Sequence, residues 1–276
     1  MIREELIREA VSKKGRQSSR VYVDRKLGTF SLERTLDRTP DSQVDHMPVF
    51  ESVLSRFKSP RDPTPVTRLG RDFERIRIYR EFNTGPLAPA RTGASPAARK
   101  DFLSDGGDNL AVVLTEMEYN GSKPRVDWYL NRLWEGFQRV GIQLEGGTAR
   151  VYVHEQHLSK PTPAYRLSDG TLKFLCLLTV LLNPEPSSLI CIEEPEAGLH
   201  PDALRLMAEA MVEASERVQL VVTTHSESLV SALSSRPEAV VVCDRDFDNA
   251  TEVPPGRSAH RLHLLDGADH GVLVPG

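Results

Sequence analysis

Apolar and polar positions alternate regularly through the C-terminal half of the chain. "LSDGTLKFLCLLTVLLN" (Leu167 to Asn183) opens on polar and glycine residues and continues apolar without proline, which predicts a buried helix capped by Ser168 or Asp169. "SSLICI" (Ser187 to Ile192) is short and continuously apolar, the pattern of a strand covered on both faces. "PDALRLMAEAMVEASE" sets Pro201 at the first helical position and Asp202 in the first turn, then repeats apolar residues at helical spacing. "VQLVVTTHS" is a second β-branched run, "SESLVSAL" a short helix and "EAVVVCDR" a further strand. This order predicts an α/β fold, a mostly parallel sheet joined by right-handed crossovers and flanked by helices.

The N-terminal half is less regular. "VYVDRKLGTFSLERTL" suits a strand hairpin and "RIRIYREF" another strand. "NTGPLAPARTGASPAARK" is rich in Pro, Ala and Gly and predicts an exposed loop or disordered insertion. "DNLAVVLTEMEYN" and "VDWYLNRLWEGFQRVGI" predict two helices, the second placing Leu130, Leu133, Trp134, Phe137 and Val140 on one face. Those aromatics read as core rather than as base-stacking platforms, and the absence of a heptad pattern excludes long coiled-coil arms. Residues 1–160 are thus expected to form an N-terminal α+β portion with a helical insertion, and residues 161–276 the C-terminal core.

Composition bounds the class. A chain of 276 residues with 39% hydrophobic and 27% charged residues suits a globular protein with a sizeable core. No apolar run reaches the roughly 18 residues that span a bilayer, and the charged start "MIREELIREA" is unlike a signal peptide, so a cytoplasmic protein with no membrane partner is expected. Cys176, Cys191 and Cys243 lie in apolar runs without metal or disulfide spacing and read as small hydrophobes. Net charge is -4, yet Arg56 to Lys100 holds eleven Lys or Arg against four Asp or Glu. A solvated Arg-rich face accounts for that excess; a phosphate-facing surface, with DNA as its partner, is the alternative.

In parallel sheets the ligand site lies just beyond the carboxyl ends of the strands. Glu193, Glu194 and His225 all fall there. Ser168 precedes Glu193 by 25 residues and Glu194 precedes His225 by 31, about one crossover unit each. Two adjacent carboxylates are unfavourable unless a cation or proton intervenes, and hard oxygen ligands suit Mg2+. Glu193 is therefore assigned to Mg2+, through water, Glu194 to polarising an attacking water, and His225 to donating a hydrogen bond to a terminal phosphate. The Ser168–Gly170 turn presents helix N-terminal N–H groups to an anion. Each feature alone has an ordinary reading as a cap, a solvent-edge pair or a structural histidine. Their order on one sheet is what points to a site.

"LSDGT", "LICIEEPEAGLHP" and "VVTTHS" resemble, in order, the signature motif, the Walker B strand with its D-loop, and the switch-histidine strand of ABC-class ATPases. The flavour is that of the soluble RecF-, SMC- and OLD-like AAA ATPases. The likeness is specific over Arg166 to Ser226 and looser through "VFESVLSRFKSP", "RIRIYREF" and "DGGDNLAVVL". It implies a P-loop NTPase-like fold and an ATP- and Mg2+-dependent ATPase. Ser168, Asp169 and Gly170 would contact a nucleotide held by the opposite subunit. Glu193 would take the Walker B position, Glu194 that of the catalytic glutamate, Gly198 and His200 the D-loop, and His225 the switch histidine. It also implies a homodimer or a partner ATPase subunit sharing a composite nucleotide site, in DNA repair, genome maintenance or phage defence.

Two departures stand out. Walker B carries Glu rather than Asp, which coordination through water tolerates. More seriously, no G-x-x-x-x-G-K-[ST] occurs, and neither Gln17 nor Gln43 stands out as a Q-loop residue. "MIREELIREAVSKKGRQS" looks like the helix that follows such a loop, so the family's N-terminal segment is expected to be missing and ATP binding by this chain alone to be weak. Two alternatives follow: a non-hydrolysing interaction module, and the ATPase part of a nuclease effector, for which "CDRDFDN" offers Asp244, Asp246 and Asp248 as an acidic cluster or merely a polar turn.

Overall fold

The computed structural model describes residues 5–13, 16–26, 29–32, 51–56, 65–184, 187–234, 236–245, 251–252 and 271–275. Two compact units result, Met1–Ile76 and Arg77–Gly276. Gln43, Asp246 and Asp248 lie outside the described residues.

In the first unit, β1 (Glu5–Lys13), β2 (Arg16–Lys26) and β3 (Thr29–Leu32) form an antiparallel sheet in that order. The hairpin expected around Val21 is present. The helix expected at the N-terminus is not: Glu5–Lys13 pairs with β2 from Glu5↔Arg25 to Lys13↔Arg16. Leu6, Ile7, Ala10 and Val11 have helix-like spacing, but a nine-residue ladder with a β-branched partner strand overrides so weak a preference. Helices α1 (Val53–Arg56) and α2 (Pro65–Glu74) follow.

Strand β4 (Ile76–Tyr79) enters the main sheet, whose order is completed by β8 (Leu189–Glu193), β9 (Gln219–Thr224), β10 (Val241–Arg245), β11 (Thr251–Glu252) and β12 (Gly271–Pro275). It reads β11-β10-β12-β9-β8-β4. The crossover from β8 to β9 is parallel, with Glu193 opposite Thr223. Strand β12 is antiparallel to both β9 and β10, so the sheet is mixed at that side. The smaller sheet holds β5 (Phe137–Glu145), β6 (Thr148–Glu155) and β7 (Thr162–Pro163). The helices of this unit are α3 (Pro89–Thr92), α4 (Leu110–Tyr119), α5 (Lys123–Leu133), α6 (Asp169–Leu182), α7 (Pro201–Ser215) and α8 (Glu227–Ala232).

Helix α6 is the centre of the core. Its residues from Phe174 to Leu182 are all buried, and Ser168 caps it by accepting a hydrogen bond from the Thr171 N–H at 3.1 Å. One apolar core joins residues from both sides of position 160, from Tyr79 through Phe137 to Val240. Two expectations change here. Helix α5 stops at Leu133, and Gly136, at φ 82°, turns the chain so that Phe137 and Val140 lie in β5; both are fully buried there. The Pro/Ala-rich segment is ordered: Ala88, Ala90, Arg91 and Ala94 are buried, and Ala94 bridges to Ala149. Small side chains let this segment lie close against the core, which composition alone does not reveal.

A charged clasp joins α5 to α7. Arg125 makes a bidentate contact with Glu213, with Nη2 to Oε2 at 2.7 Å, and Arg132 pairs with Glu209. Both carboxyls are held below their ordinary range, chiefly by these hydrogen bonds from arginine. Among the described residues no helix is long and apolar enough to cross a membrane.

Two predictions follow from this packing. Phe137→Ala lowers unfolding free energy by about 3–5 kcal/mol, whereas Tyr119→Ala, at a position 89% exposed, changes it little; urea denaturation distinguishes them. For the clasp, the depressed carboxyls stabilise the fold above the ordinary carboxyl value of 4.5 and lose that contribution as pH falls through their lower folded values. The double variant Glu209→Gln/Glu213→Gln therefore starts less stable at neutral pH and shows a shallower acid decline in its urea midpoint.

Candidate functional site

The chain leaves β8 at Glu193 and turns at once. Glu194 has φ 44°, the only non-glycine residue with positive φ among those described. A side chain in this left-handed region costs about 1–3 kcal/mol and persists only where surrounding bonds impose it. They do so here. The Glu194 N–H donates to Thr223 O on β9 at 2.9 Å, and the Ala197 N–H closes the turn on Glu194 O at 3.1 Å.

This turn forms one wall of a cleft of about 530 Å³, with Glu193, Glu194, Ala197 and Gly198 facing it. The opposite wall is the start of α6, through Asp169, Gly170 and Lys173. Arg80, Glu81, Phe82 and Thr84, which follow β4, complete it. The walls are in direct contact. A Cβ added at Gly170 would lie 2.6 Å from Gly198 O, closer than any side chain tolerates. Lys173 Nζ donates to Ala197 O at 2.6 Å and lies 3.4 Å from Glu194 O. Burial lowers the Lys173 pKa, partly offset by Glu196, Glu81 and Glu194.

The two carboxylates have different neighbours. Glu193 Oε1 accepts from Arg80 Nε at 2.9 Å, so a guanidinium balances its charge. Glu194 Oε1 lies 3.9 Å from His225 Nε2, and both side chains are 58% exposed. Glu196 holds the histidine segment in place: its Oε1 accepts from Thr224 Oγ1 at 2.7 Å and from the His225 N–H at 2.9 Å. Its other oxygen is buried with no hydrogen-bond partner.

Of the residues singled out from sequence, Asp169, Gly170, Glu193, Glu194 and Gly198 line the cleft, and His225 stands beside it. Ser168 is the α6 cap, engaged with Thr171. His200 does not line the cleft. It caps α7, its Nδ1 accepting from the Asp202 N–H at 3.3 Å. Asp169 is engaged by the Arg91 guanidinium. Sequence reasoning missed Arg80, Arg91, Lys173 and Glu196. Signals existed for Glu196, three residues past Glu193 in the same turn, and for Lys173, in the first turns of α6 after Gly170; Arg80 and Arg91 approach from distant segments and left none.

Glu193 and Glu194 offer hard oxygens that suit a cation keeping several of its waters, but among the described residues no group of three His, Cys, Asp or Glu side chains is placed to hold a metal ion without such help. The first-turn N–H groups of α6, on the other wall, suit an anion.

The fold and cleft define an α/β protein with a cleft beyond the carboxyl end of β8, lined by four carboxylates and two cations. Residues 14–231 match the family described as "AAA domain, putative AbiEii toxin, Type IV TA system", and the chain belongs to that AAA ATPase family. It is similar to the Old nuclease of Escherichia phage P2, 41% identical over 164 residues, which cover 51% of this chain and 26% of that protein. The chain thus spans about a quarter of the length of that relative. Among solved structures, an Smc head bound to the C-terminal winged-helix domain of ScpA aligns with 15% identity and TM-score 0.40, covering 51% of this chain and 44% of that one. An SMC ATPase studied for ATP-driven dimerization and DNA-stimulated activation aligns with 14% identity and TM-score 0.39, covering 50% and 85%.

The contact between the walls gives a direct test. Gly170→Ala forces α6 away from the Gly198 carbonyl and lowers stability by about 1–3 kcal/mol in urea denaturation. Unchanged stability would mean the two walls are not in contact.

Proposed function

We propose that the cleft takes part in binding and hydrolysing Mg2+-ATP, as one half of a composite site shared with a second copy of this chain or with a partner ATPase subunit, the latter able to bring the phosphate-binding loop that this sequence lacks. The observation that carries this reading is the pair Glu193 and Glu194 at the end of β8, opening on a cleft beside His225 and the N-terminus of α6. Glu193 would hold Mg2+, through water, after Arg80 gives up its carboxylate. When bound, the metal supplies positive charge to the phosphates. Glu194 takes up the proton of the attacking water, and its left-handed backbone turns the carboxylate toward His225. His225 donates to the terminal phosphate, with its backbone fixed by Glu196. Following the resemblance, Ser168, Asp169 and Gly170 would contact a nucleotide held mainly by the opposite subunit, and Gly198 and His200 would belong to the D-loop, His200 through its place as the α7 cap.

A role in DNA repair, genome maintenance or phage defence, with DNA as the polymer acted on and the cytoplasm as the compartment, is part of the same proposal; the likeness of the sequence motifs to RecF-, SMC- and OLD-like ATPases is what favours it. The similarity to the Old nuclease favours one further reading, in which the chain is the ATPase part of a nuclease effector. DNA cleavage that requires a metal and is lost in Asp244→Ala would instead assign nuclease chemistry to this chain.

ATP turnover by the purified chain in Mg2+ tests the main reading. Glu194→Gln is expected to reduce turnover by roughly a hundred-fold or more, the usual contribution of a positioned general base. Glu193→Gln is expected to raise the Mg2+ concentration required. Turnover unaffected by Glu194→Gln would overturn the assignment, and binding without turnover in the unaltered chain would support a non-hydrolysing interaction module.

A further inference from the structure

The side chain of Arg91 is 6% exposed, yet it belongs to a segment whose composition suggests a solvated loop. Four of its five N–H donors are engaged. Nε donates to Thr84 O at 2.7 Å, Nη1 to Leu167 O at 2.7 Å and to Ala164 O at 3.1 Å, and Nη2 to Asp169 Oδ1. Three pieces of chain therefore meet on one side chain: the Thr84 loop and the first residue of α6, both lining the cleft, and the 3-10 turn Ala164–Arg166 that leads into α6.

The electrostatic consequence concerns Asp169. A carboxylate in the first turn of α6 favours the helix but opposes a phosphate approaching the same N-terminus, because like charges repel across a short gap. Arg91 removes that conflict. Its fixed charge neutralises Asp169 from the protein side, while 77% of the Asp169 side chain remains exposed. The same fork holds the carbonyls of Ala164 and Leu167, which fixes the path into the cap at Ser168 and so the direction of the first N–H groups of α6. A planar guanidinium can satisfy four acceptors arranged this way; a lysine ammonium carries three donors and no fork.

We infer that Arg91 is a positioning residue for anion binding at the start of α6, and that Asp169 is its counter-ion rather than a direct ligand of the nucleotide. This rests on the reading of the cleft as a nucleotide site. The clamp sets the turn before any ligand arrives, so its effect is present in the free protein.

Two measurements on the same variants separate the clamp from the nucleotide reading. The first is amide hydrogen exchange of the free chain, comparing Arg91→Lys and Asp169→Asn with the unaltered protein. Exchange in residues 167–172 should rise by roughly ten-fold in both, the scale of one lost charge-assisted hydrogen bond, while α4 and α7 keep their protection. The second is equilibrium binding of a fluorescent ATP analogue in Mg2+. A direct, repulsive Asp169 predicts tighter binding in Asp169→Asn, and the clamp predicts weaker binding, by roughly ten-fold, in both variants. Unchanged exchange at 167–172 in both variants, or tighter binding by Asp169→Asn, overturns the inference. Because the sequence lacks a phosphate-binding loop, the titration is carried to millimolar analogue; no binding by the unaltered chain even there removes the nucleotide reading for this chain alone, while the exchange result still decides whether Arg91 sets the turn. Arg91→Lys keeps a charge and Asp169→Asn is an exposed change, so both variants are expected to fold.

Discussion

The close approach between the start of α6 and the turn after β8 is the constraint on which the site depends. Gly170 has no room for a side chain against Gly198 O, and Lys173 reaches across to the carbonyls of Ala197 and Glu194. Helix α6 is in turn anchored by a run of buried residues from Phe174 to Leu182. A rigid core element thus braces the strained residue Glu194, and backbone rather than long side chains sets the distance across the cleft. Loosening either wall would release the left-handed turn and with it the direction of the carboxylate.

Charge in this region is balanced by cations that come from elsewhere in the chain. Arg80 answers Glu193, Arg91 answers Asp169, and Lys173 lies among Glu81, Glu194 and Glu196. The exposed pair at Glu193 contributes little to stability, as solvent screens it, and is accordingly easy to exchange for another cation. Arg91 is the opposite case. Buried and held by four hydrogen bonds, it is expensive to unpair, so it suits a fixed support rather than a moving part.

Much of this arrangement was legible from the amino-acid sequence, for physical reasons that differ by element. Helices α6 and α7 announced themselves through caps and helical spacing at Ser168 and Pro201, and β8 and β9 through short apolar runs ending in polar residues. Local signals sufficed because local forces shape those elements. Strand β1 was misread as a helix because the start of the chain looks like the helix that follows a phosphate loop, while the partner that makes it a strand lies in the next segment. Phe137 and Val140 were assigned correctly to the core but to the wrong element, because one glycine turn separates α5 from β5. Arg80 and Arg91 were invisible for a related reason. Arg91 is 78 residues from Asp169 and Arg80 is 113 residues from Glu193, so no local pattern records those pairings.

The central claim is that the doubled carboxylate at the end of β8 is a divalent-cation site at the edge of a nucleotide cleft. Paramagnetic broadening of backbone amide NMR signals on titration with Mn2+, with and without a non-hydrolysable ATP analogue, tests it most directly. The account predicts broadening centred on Glu193 and Glu194 and extending to Arg80 and Lys173, lost in Glu193→Gln and strengthened by the analogue. Broadening centred elsewhere, or unchanged in Glu193→Gln, would contradict it.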